Sequence, residues 1–230
     1  MKVVILAGGK GSRLSELTKK IPKPMVKINN KPIIVHIMDH FVKYGFKDFI
    51  VAAGFKSKII KNFFDKKHKD RKIEVIDTGL NTLTGGRIKR LQKYLNNKNF
   101  FLTYGDGVSN VNLKKLLNFH IKKKGIATLT AVRPPARFGA IKIINNKVTV
   151  FREKSNLDVG WINGGFFILE PEIFEFLKTD KTILEEYPLK ELGKRRKLFA
   201  YKHKSFWQCM DTIRDKEILE RSLKILLKKK

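Results

Sequence analysis

The 230-residue sequence contains a single cysteine, Cys209, which excludes an internal disulfide and a zinc site built from several cysteines. No apolar run approaches the roughly 20 residues that span a bilayer. The first residues also lack the charged, apolar and small-residue pattern of a secretory signal. We therefore expect a cytoplasmic protein without a membrane partner.

Acidic residues are scarce: the chain has 21 Asp and Glu against 50 Lys and Arg, which gives a formal net charge of +29 at pH 7. Such an excess by itself favours a polyanionic partner such as nucleic acid. The charges are scattered along the chain, however, in runs such as 66–72, 122–124 and 193–197. A solvated, lysine-rich surface explains this scatter, and part of the excess would attract an anionic substrate. We expect no nucleic-acid partner.

Short runs rich in β-branched and aromatic residues alternate with longer segments of helical period, which is typical of βαβ units. Strands are predicted at 2–7, 48–54, 72–79, 99–107 and 126–132, and helices at 31–45, 57–64 and 112–123. After Val132, alternating strands flank the tight reversal Asn145-Asn146, and the segment INGGFFILEP and a closing helix follow.

These elements predict an α/β fold. We expect a Rossmann-like, doubly wound, mixed but mostly parallel sheet with helices on both faces. Small antiparallel additions are expected in the second half. No linker, repeat or low-complexity tract divides the chain, so residues 1–230 are predicted to form one domain.

A glycine-rich turn follows the first predicted strand, in the stretch LAGGKGSRL at residues 6–14. Ligands of parallel sheets usually bind at this end of a strand, where glycines let backbone N–H groups approach phosphate oxygens. The spacing matches neither the ATPase loop nor the dinucleotide-binding fingerprint. Arg13 adds a bidentate donor, and Lys23, between two prolines, adds a point charge. Each feature alone is an ordinary loop, but their combination indicates phosphate binding.

The combination G-G-x-G-[ST]-R-L followed by P-K-P resembles the sugar-nucleotide pyrophosphorylases, which join a sugar 1-phosphate to a nucleoside triphosphate and release pyrophosphate. The segments DTGLNTLTGGRIKRL, LTYGDGV, RFGAIKI, INGGFF and FWQCMDTIRDKEIL follow in order and are most similar to members that use CTP and glucose 1-phosphate. The resemblance implies a nucleotidyltransferase whose small-molecule substrates are CTP and a sugar 1-phosphate. It implies that the product, CDP-glucose, serves deoxysugar or polysaccharide biosynthesis. Homo-oligomerisation stays open.

Two aspartates are candidate metal ligands. Asp106 ends the strand FFLTYGD, and Asp211 precedes the closing helix. Asp106 is also explained as a turn residue, whereas Asp211 or Thr212 would cap the helix with Asp215 in its first turn. A triphosphate arrives with Mg²⁺, which one or two carboxylates suffice to hold. The resemblance implies that Asp106 and Asp211 are this pair.

The resemblance implies an in-line attack by the sugar phosphate on the α-phosphorus of CTP. No general base is needed because the nucleophile is already an anion, so positioning and electrostatic stabilisation dominate. Arg13, Lys23 and Asp106 are the expected catalytic residues: Arg13 and the glycine turn hold the β- and γ-phosphates, and Lys23 holds the α-phosphate. The expected nucleotide-binding residues are Leu6, Ala7, Gly8, Gly9, Gly11, Ser12, Arg13, Lys23, Thr84, Gly85, Gly86, Arg87 and Gly105.

Cytosine recognition requires donors for O2 and N3 and an acceptor for N4. Thr84, Arg87 and the Gly85-Gly86 backbone supply such groups, although a capped amphipathic helix is the competing interpretation. The expected sugar-phosphate-binding residues are Gly139, Glu153, Lys154, Asn163 and Gly164. Residues 163–165 are also explained as a strand bulge, and Ser155 stands where the family pattern usually has proline.

Three alternatives stay open: a related transferase that uses dTTP, UTP, GTP or another sugar, a basic nucleic-acid-binding module, and a non-catalytic sugar-nucleotide-binding protein. The acidic and basic candidates argue against a silent protein. The lack of a concentrated basic face or an aromatic RNA-binding motif argues against the nucleic-acid module. Between IIKNFF and VIDTG the chain is much shorter than the family pattern, which bears on base preference and oligomeric state.

Overall fold

The computed structural model describes residues 1–66, 68, 70–95, 97–134, 140–152 and 160–228. The strands are β1 (Lys2–Ala7), β2 (Lys27–Ile28), β3 (Lys31–Pro32), β4 (Asp48–Ala53), β5 (Lys72–Asp77), β6 (Phe100–Tyr104), β7 (Gly107–Ser109), β8 (Ala127–Val132), β9 (Ala140–Ile144), β10 (Lys147–Arg152), β11 (Ile162–Asn163), β12 (Phe167–Leu169), β13 (Leu198–Lys202) and β14 (Trp207–Cys209). The helices are α1 (Ser15–Thr18), α2 (Ile33–Val42), α3 (Ser57–Lys66), α4 (Thr84–Arg90), α5 (Leu113–Lys123), α6 (Tyr187–Lys194) and α7 (Ile213–Lys228). Short 3-10 turns lie at Ser12–Leu14, Lys23–Met25, Gln92–Tyr94 and Pro171–Phe176.

The central sheet has the strand order β11-β8-β12-β6-β1-β4-β5, and β13 pairs with β8. Strands β6, β1, β4 and β5 run parallel, as does the pair β13 and β8. Strand β12 runs antiparallel to β6 and β8, and β11 runs antiparallel to β8. The predicted Rossmann-like, mixed and mostly parallel sheet with antiparallel additions in the second half is confirmed.

Two hydrophobic layers cover the sheet because successive side chains of its inner strands point to opposite faces. In β1, Val3 and Ile5 belong to one buried cluster, whereas Val4 and Leu6 belong to the other. The first cluster is completed by residues of α2, α3, α5 and α7, and the second by residues of α4 and α6. Helices therefore lie on both faces, as predicted. Within the described part of the chain, no helix has the length and apolar character needed to cross a membrane.

Some predicted boundaries were wrong. The helix predicted from Lys31 begins at Ile33, because residues 31–32 pair as β3 with β2 across a reversal at Asn29 and Asn30. Those two asparagines have φ angles of 47° and 65°, and the predicted reversal at Asn145-Asn146 has 48° and 62°. At the start of α3, the hydroxyl of Ser57 donates to Asp77 at 2.6 Å.

The strand predicted over 99–107 is interrupted, and the two parts belong to different sheets. The chain turns at Gly105 and Asp106, so the sequence forms β6 in the central sheet and the separate strand β7. Strand β7 pairs with β14 and not with the central sheet. Residues 162–169 are similarly divided into β11 and β12, with positive φ at Gly165 and Phe166 between them.

Arg87 of α4 forms hydrogen bonds at the ends of three parallel strands. Its side chain is buried, and its guanidinium donates to oxygens that end or follow β1, β4 and β5. These acceptors are the carbonyls of Gly8, Ala53, Gly79 and Leu80 and the hydroxyl of Thr78. Since a buried polar group without a partner is costly, Arg87 stabilises the edge of the sheet at which these strands end.

We predict that Arg87→Lys lowers the free energy of unfolding by about 2 kcal/mol or more, because an ammonium cannot donate to all of these buried acceptors. Urea unfolding followed by circular dichroism measures the change. The control is Arg90→Lys in the same helix, whose side chain pairs with Asp180 at an exposed position and should contribute much less. Equal losses in both variants would contradict a special role for Arg87.

Candidate active site

The pairing of β7 with β14 brings two distant aspartates together. Cys209 lies opposite Gly107, and the amide of Met210 donates to the carbonyl of Asp106 at 2.9 Å. Asp106 directly precedes β7, and Asp211 follows β14 after one residue. The antiparallel ladder therefore places both carboxylates at the edge where β1 and β6 end.

Thr212, rather than Asp211, is the residue whose side chain caps α7. Its hydroxyl accepts a hydrogen bond from the amide of Asp215 at 3.1 Å, and the Asp215 carboxylate accepts from the amide of Thr212 at 2.9 Å. This reciprocal pair is a capping box with aspartate in the usual glutamate position. The sequence left open whether Asp211 or Thr212 caps this helix, and the structure shows that Thr212 does. The Asp211 carboxylate contacts basic side chains instead.

The ammonium of Lys23 lies between the two carboxylates. Its Nζ is 2.6 Å from Oδ2 of Asp106 and 2.7 Å from Oδ1 of Asp211. The side chains are 12%, 28% and 19% exposed, respectively, so the cluster is only partly screened by solvent. Burial alone would lower the pKa of Lys23, but Asp106 and Asp211 more than reverse this effect and raise it above its ordinary value. Lys23 therefore stays charged at neutral pH.

Arg13 joins this cluster from the glycine-rich turn. Its Nη1 donates to Oδ2 of Asp211 at 3.0 Å, while the arginine side chain is 75% exposed. A surface pair of this kind contributes little to stability, so the guanidinium is accessible to an incoming anion at small cost. The structure brings together all four predicted charged residues: Arg13, Lys23, Asp106 and Asp211.

A cavity of about 400 Å³ opens beside the cluster. Every predicted nucleotide-binding residue except Gly85 and Gly86 lines it, from the glycine-rich turn after β1 to Thr84, Arg87 and Gly105. Asp106 lines it as well, and so does Tyr104, which the sequence analysis did not select. The cavity therefore joins the glycine-rich turn, Lys23 and the first turn of α4 in one space.

The glycines of α4 serve packing in this structure. The amides of Gly85 and Gly86 both donate to the carbonyl of Thr182, at 2.9 and 3.2 Å. A Cβ on Gly86 would lie 2.3 Å from the carbonyl oxygen of Asp180, which excludes any larger residue without displacement of that segment. Of the competing interpretation, a capped amphipathic helix, the helix is observed as α4, but no side chain caps its first turn. Neither amide is available to read a base, and the donors of Arg87 point to the acceptors described above.

The predicted sugar-phosphate residues fall into two groups. Gly139, Glu153 and Lys154, with Ser155, lie outside the described residues. Asn163 and Gly164 lie at the interruption between β11 and β12, which agrees with the bulge interpretation. The Asn163 side chain donates to the Tyr104 hydroxyl at 3.1 Å and accepts from the amide of Gly165 at 2.9 Å. It thus contacts the cavity wall through Tyr104.

Cys209 lies next to the cluster, with its sulfur 3.9 Å from Oδ2 of Asp211. Burial, together with the charges of Asp211 and Asp106, raises the pKa of the Cys209 thiol to about 12. Because the thiolate is the reactive form, this cysteine is unsuited to nucleophilic catalysis at neutral pH.

The aspartate pair fits a hard divalent cation that arrives with phosphate ligands. Both carboxylates already converge on one cationic group, the Lys23 ammonium. Mg²⁺ keeps several waters and takes only one or two protein carboxylates alongside phosphate oxygens. Across the described ranges, no cluster of three or more His, Cys, Asp or Glu is placed to hold a metal by itself.

Comparison with known proteins agrees with this arrangement. The chain is 42% identical to the glucose-1-phosphate cytidylyltransferase of Salmonella typhimurium (strain LT2), over 96% of this chain and 95% of that protein. It is 40% identical to the probable glucose-1-phosphate cytidylyltransferase of Bacillus subtilis (strain 168), over 94% and 93% of the two chains.

The solved structure of HddC from Yersinia pseudotuberculosis complexed with GMP-PN has a TM-score of 0.76 and 27% identity, covering 96% of this chain and 99% of that chain. The profile of the nucleotidyl transferase family matches residues 2–209. Members of this family generally use a divalent metal. The sequence match, the fold and the curated relatives agree, and the chain belongs to the nucleotidyl transferase family.

Proposed function

We propose that the protein joins CTP and α-D-glucose 1-phosphate to give CDP-glucose and pyrophosphate. The observation that carries this proposal is the Lys23 ammonium between Asp106 and Asp211, beside a cavity lined by a glycine-rich turn. The names of the Salmonella and Bacillus relatives support cytidine as the base and glucose as the sugar.

The reaction requires that two anions meet. An oxygen of the sugar phosphate forms a bond to the α-phosphorus of CTP, while the bond from that phosphorus to the bridging oxygen breaks. The electron pair leaves on pyrophosphate, and no proton has to be removed from the nucleophile. The demands on the protein are therefore alignment of the two reactants and neutralisation of charge in the transition state.

The basic residues of the cluster match those demands. The exposed guanidinium of Arg13 and the backbone of residues 8–11 would bind the β- and γ-phosphates, and thus the leaving group. Lys23 would bind the α-phosphate oxygens, where negative charge increases during attack. Its position on a segment held by Pro22 and Pro24 limits the conformational entropy lost on binding.

Asp106 and Asp211 would hold the Mg²⁺ that accompanies the nucleotide. When bound, this cation would offset the negative charge of the triphosphate. In the structure, the Lys23 ammonium lies between the same two carboxylates. We therefore expect Lys23 to exchange its aspartate contacts for the α-phosphate when CTP binds.

Pyrophosphate release over CTP, UTP, dTTP and GTP with several sugar 1-phosphates tests the proposal. We expect turnover only with both substrates and a divalent metal, fastest with CTP and glucose 1-phosphate. A faster reaction with another substrate pair would still be the reaction of this family, but it would overturn CTP and glucose 1-phosphate as the substrates. Salt-sensitive DNA binding without turnover would favour the basic nucleic-acid-binding alternative.

We predict that Asp106→Asn lowers kcat at least about 100-fold, on the scale of losing one principal electrostatic contributor to the transition state. Steady-state kinetics measure the loss, and circular dichroism verifies the fold. Asp65→Asn, at an exposed position of α3, is the matched control and should retain wild-type turnover. Full activity of Asp106→Asn would remove Asp106 from the reaction.

Lys23→Met provides a test that does not depend on turnover. Without the ammonium, the paired carboxylates should bind Mn²⁺ at least about tenfold more tightly in the absence of nucleotide. The reason is that a positive charge within about 4 Å of the carboxylates competes with the metal cation for them. Electron paramagnetic resonance of free Mn²⁺ measures the affinity. Lys20→Met, at an exposed position of the same loop, should leave it unchanged. Identical affinities in all three proteins would show that Lys23 does not occupy the metal position.

A further inference from the structure

A second polar cluster lies at the same cavity, and two of its members, Tyr104 and Thr84, line it. It consists of Asn163, Tyr104, Glu185 and Thr84, which we call the Tyr104–Glu185 network. The Tyr104 hydroxyl donates to Oε1 of Glu185 at 2.5 Å and accepts from the side chain of Asn163 at 3.1 Å. The Thr84 hydroxyl donates to Oε2 of the same glutamate at 2.7 Å. One carboxylate therefore connects α4 to the ends of β6 and β11.

The position of Tyr104 is strongly constrained. Its ring lines the cavity and packs edge-on against Phe167, with centroids 6.0 Å apart and planes at 79°. A Cβ on Gly165 would approach the Tyr104 ring to 3.0 Å, and the φ of Gly165 is +74°, so a larger residue here would be strained and would crowd the ring. Burial, and then the adjacent Glu185 carboxylate, raises the pKa of Tyr104 far above its ordinary value. The hydroxyl therefore remains a donor at every working pH.

Both oxygens of Glu185 are engaged by hydroxyl donors, and such bonds to a carboxylate are stronger than those between neutral groups. The Thr84 hydroxyl also accepts from the amide of Leu184 at 2.9 Å, which fixes the direction of its own proton. The carboxylate thus links the two hydroxyl groups, in addition to the ring packing that holds Tyr104 and the Leu184 amide that holds Thr84. Removing Glu185 would uncouple the directions of these two hydroxyl groups.

A carboxylate near a cavity for polyanions is electrostatically unfavourable for the substrates. Packing of α4 against the segment before Glu185 is already provided by backbone hydrogen bonds from Leu83, Gly85 and Gly86. The carboxylate is therefore not needed to attach the helix. What it adds is a link between the hydroxyl groups of Thr84 and Tyr104, two residues that line the cavity.

We propose that Glu185 is a positioning residue that aligns Thr84 on the nucleotide side and, through Tyr104, Asn163 on the sugar side. This inference rests on the proposed function, because it assigns the two sides by the substrates named there. Glu185 itself is not among the residues that line the cavity, so it acts through its neighbours.

The test compares Glu185→Gln, Tyr104→Phe and the double variant by steady-state kinetics. Glu185→Gln should raise KM for both CTP and glucose 1-phosphate about tenfold, the scale of one hydrogen bond to a charged group. Tyr104→Phe, which leaves the Thr84 contact in place, should raise KM for glucose 1-phosphate by a similar factor and leave KM for CTP within about twofold. For the sugar phosphate, the double variant should match Glu185→Gln, because both changes break the same link.

Glu186→Gln is the matched control: it neutralises an adjacent exposed carboxylate and should retain wild-type kinetics. Thermal unfolding of each variant separates positioning from a structural role. A lower Tm with unchanged KM values would overturn the inference, as would additive effects in the double variant. The wild-type protein in the same assay tests the proposed function. If the wild-type protein prefers another substrate pair, KM is measured with that pair, and the ratio of each variant's KM to the wild-type KM tests the Tyr104–Glu185 network.

Discussion

One ammonium between two carboxylates is the interaction on which the rest of the site depends. Lys23 comes from the loop after α1, Asp106 from the turn between β6 and β7, and Asp211 from the segment before α7. Partly buried charges of this kind are tolerated only when they are paired, so each segment requires the other two. The β7 and β14 ladder and the Thr212 capping box supply the backbone geometry that this pairing needs.

Part of the charged cluster was predictable because the glycine-rich turn with Arg13 and the Asp106 turn obey a topological rule. The glycine-rich turn and Asp106 both follow buried strands that were recognised from their apolar runs, and parallel strands end at one edge of a sheet. Asp211 was placed there by the family resemblance alone. Residue pattern could not separate it from Thr212 as the helix cap, since that distinction depends on which side chain rotates toward the helix amides.

Other features depend on contacts that no local pattern records. Residues 100–104 are rich in strand-forming residues and the Gly-Asp-Gly that follows is typical of a turn, but only the distant partner β14 reveals that the chain then forms a strand outside the central sheet. The glycines of α4 looked like substrate-binding backbone, yet the carbonyls of residues 180 and 182 account for them. Glu185 gave no signal, because an acidic pair in a loop is ordinary until its hydroxyl partners are known.

The β7 and β14 pairing also has a consequence for synthesis of the chain. During translation the glycine-rich turn and Lys23 are made first and Asp106 follows, whereas Asp211 is made only after β14. A nascent polypeptide that ends before β14 would contain Lys23 and only one of its two aspartate partners. The order of the segments thus delays formation of the complete charged cluster until β14 and the segment before α7 have been synthesised.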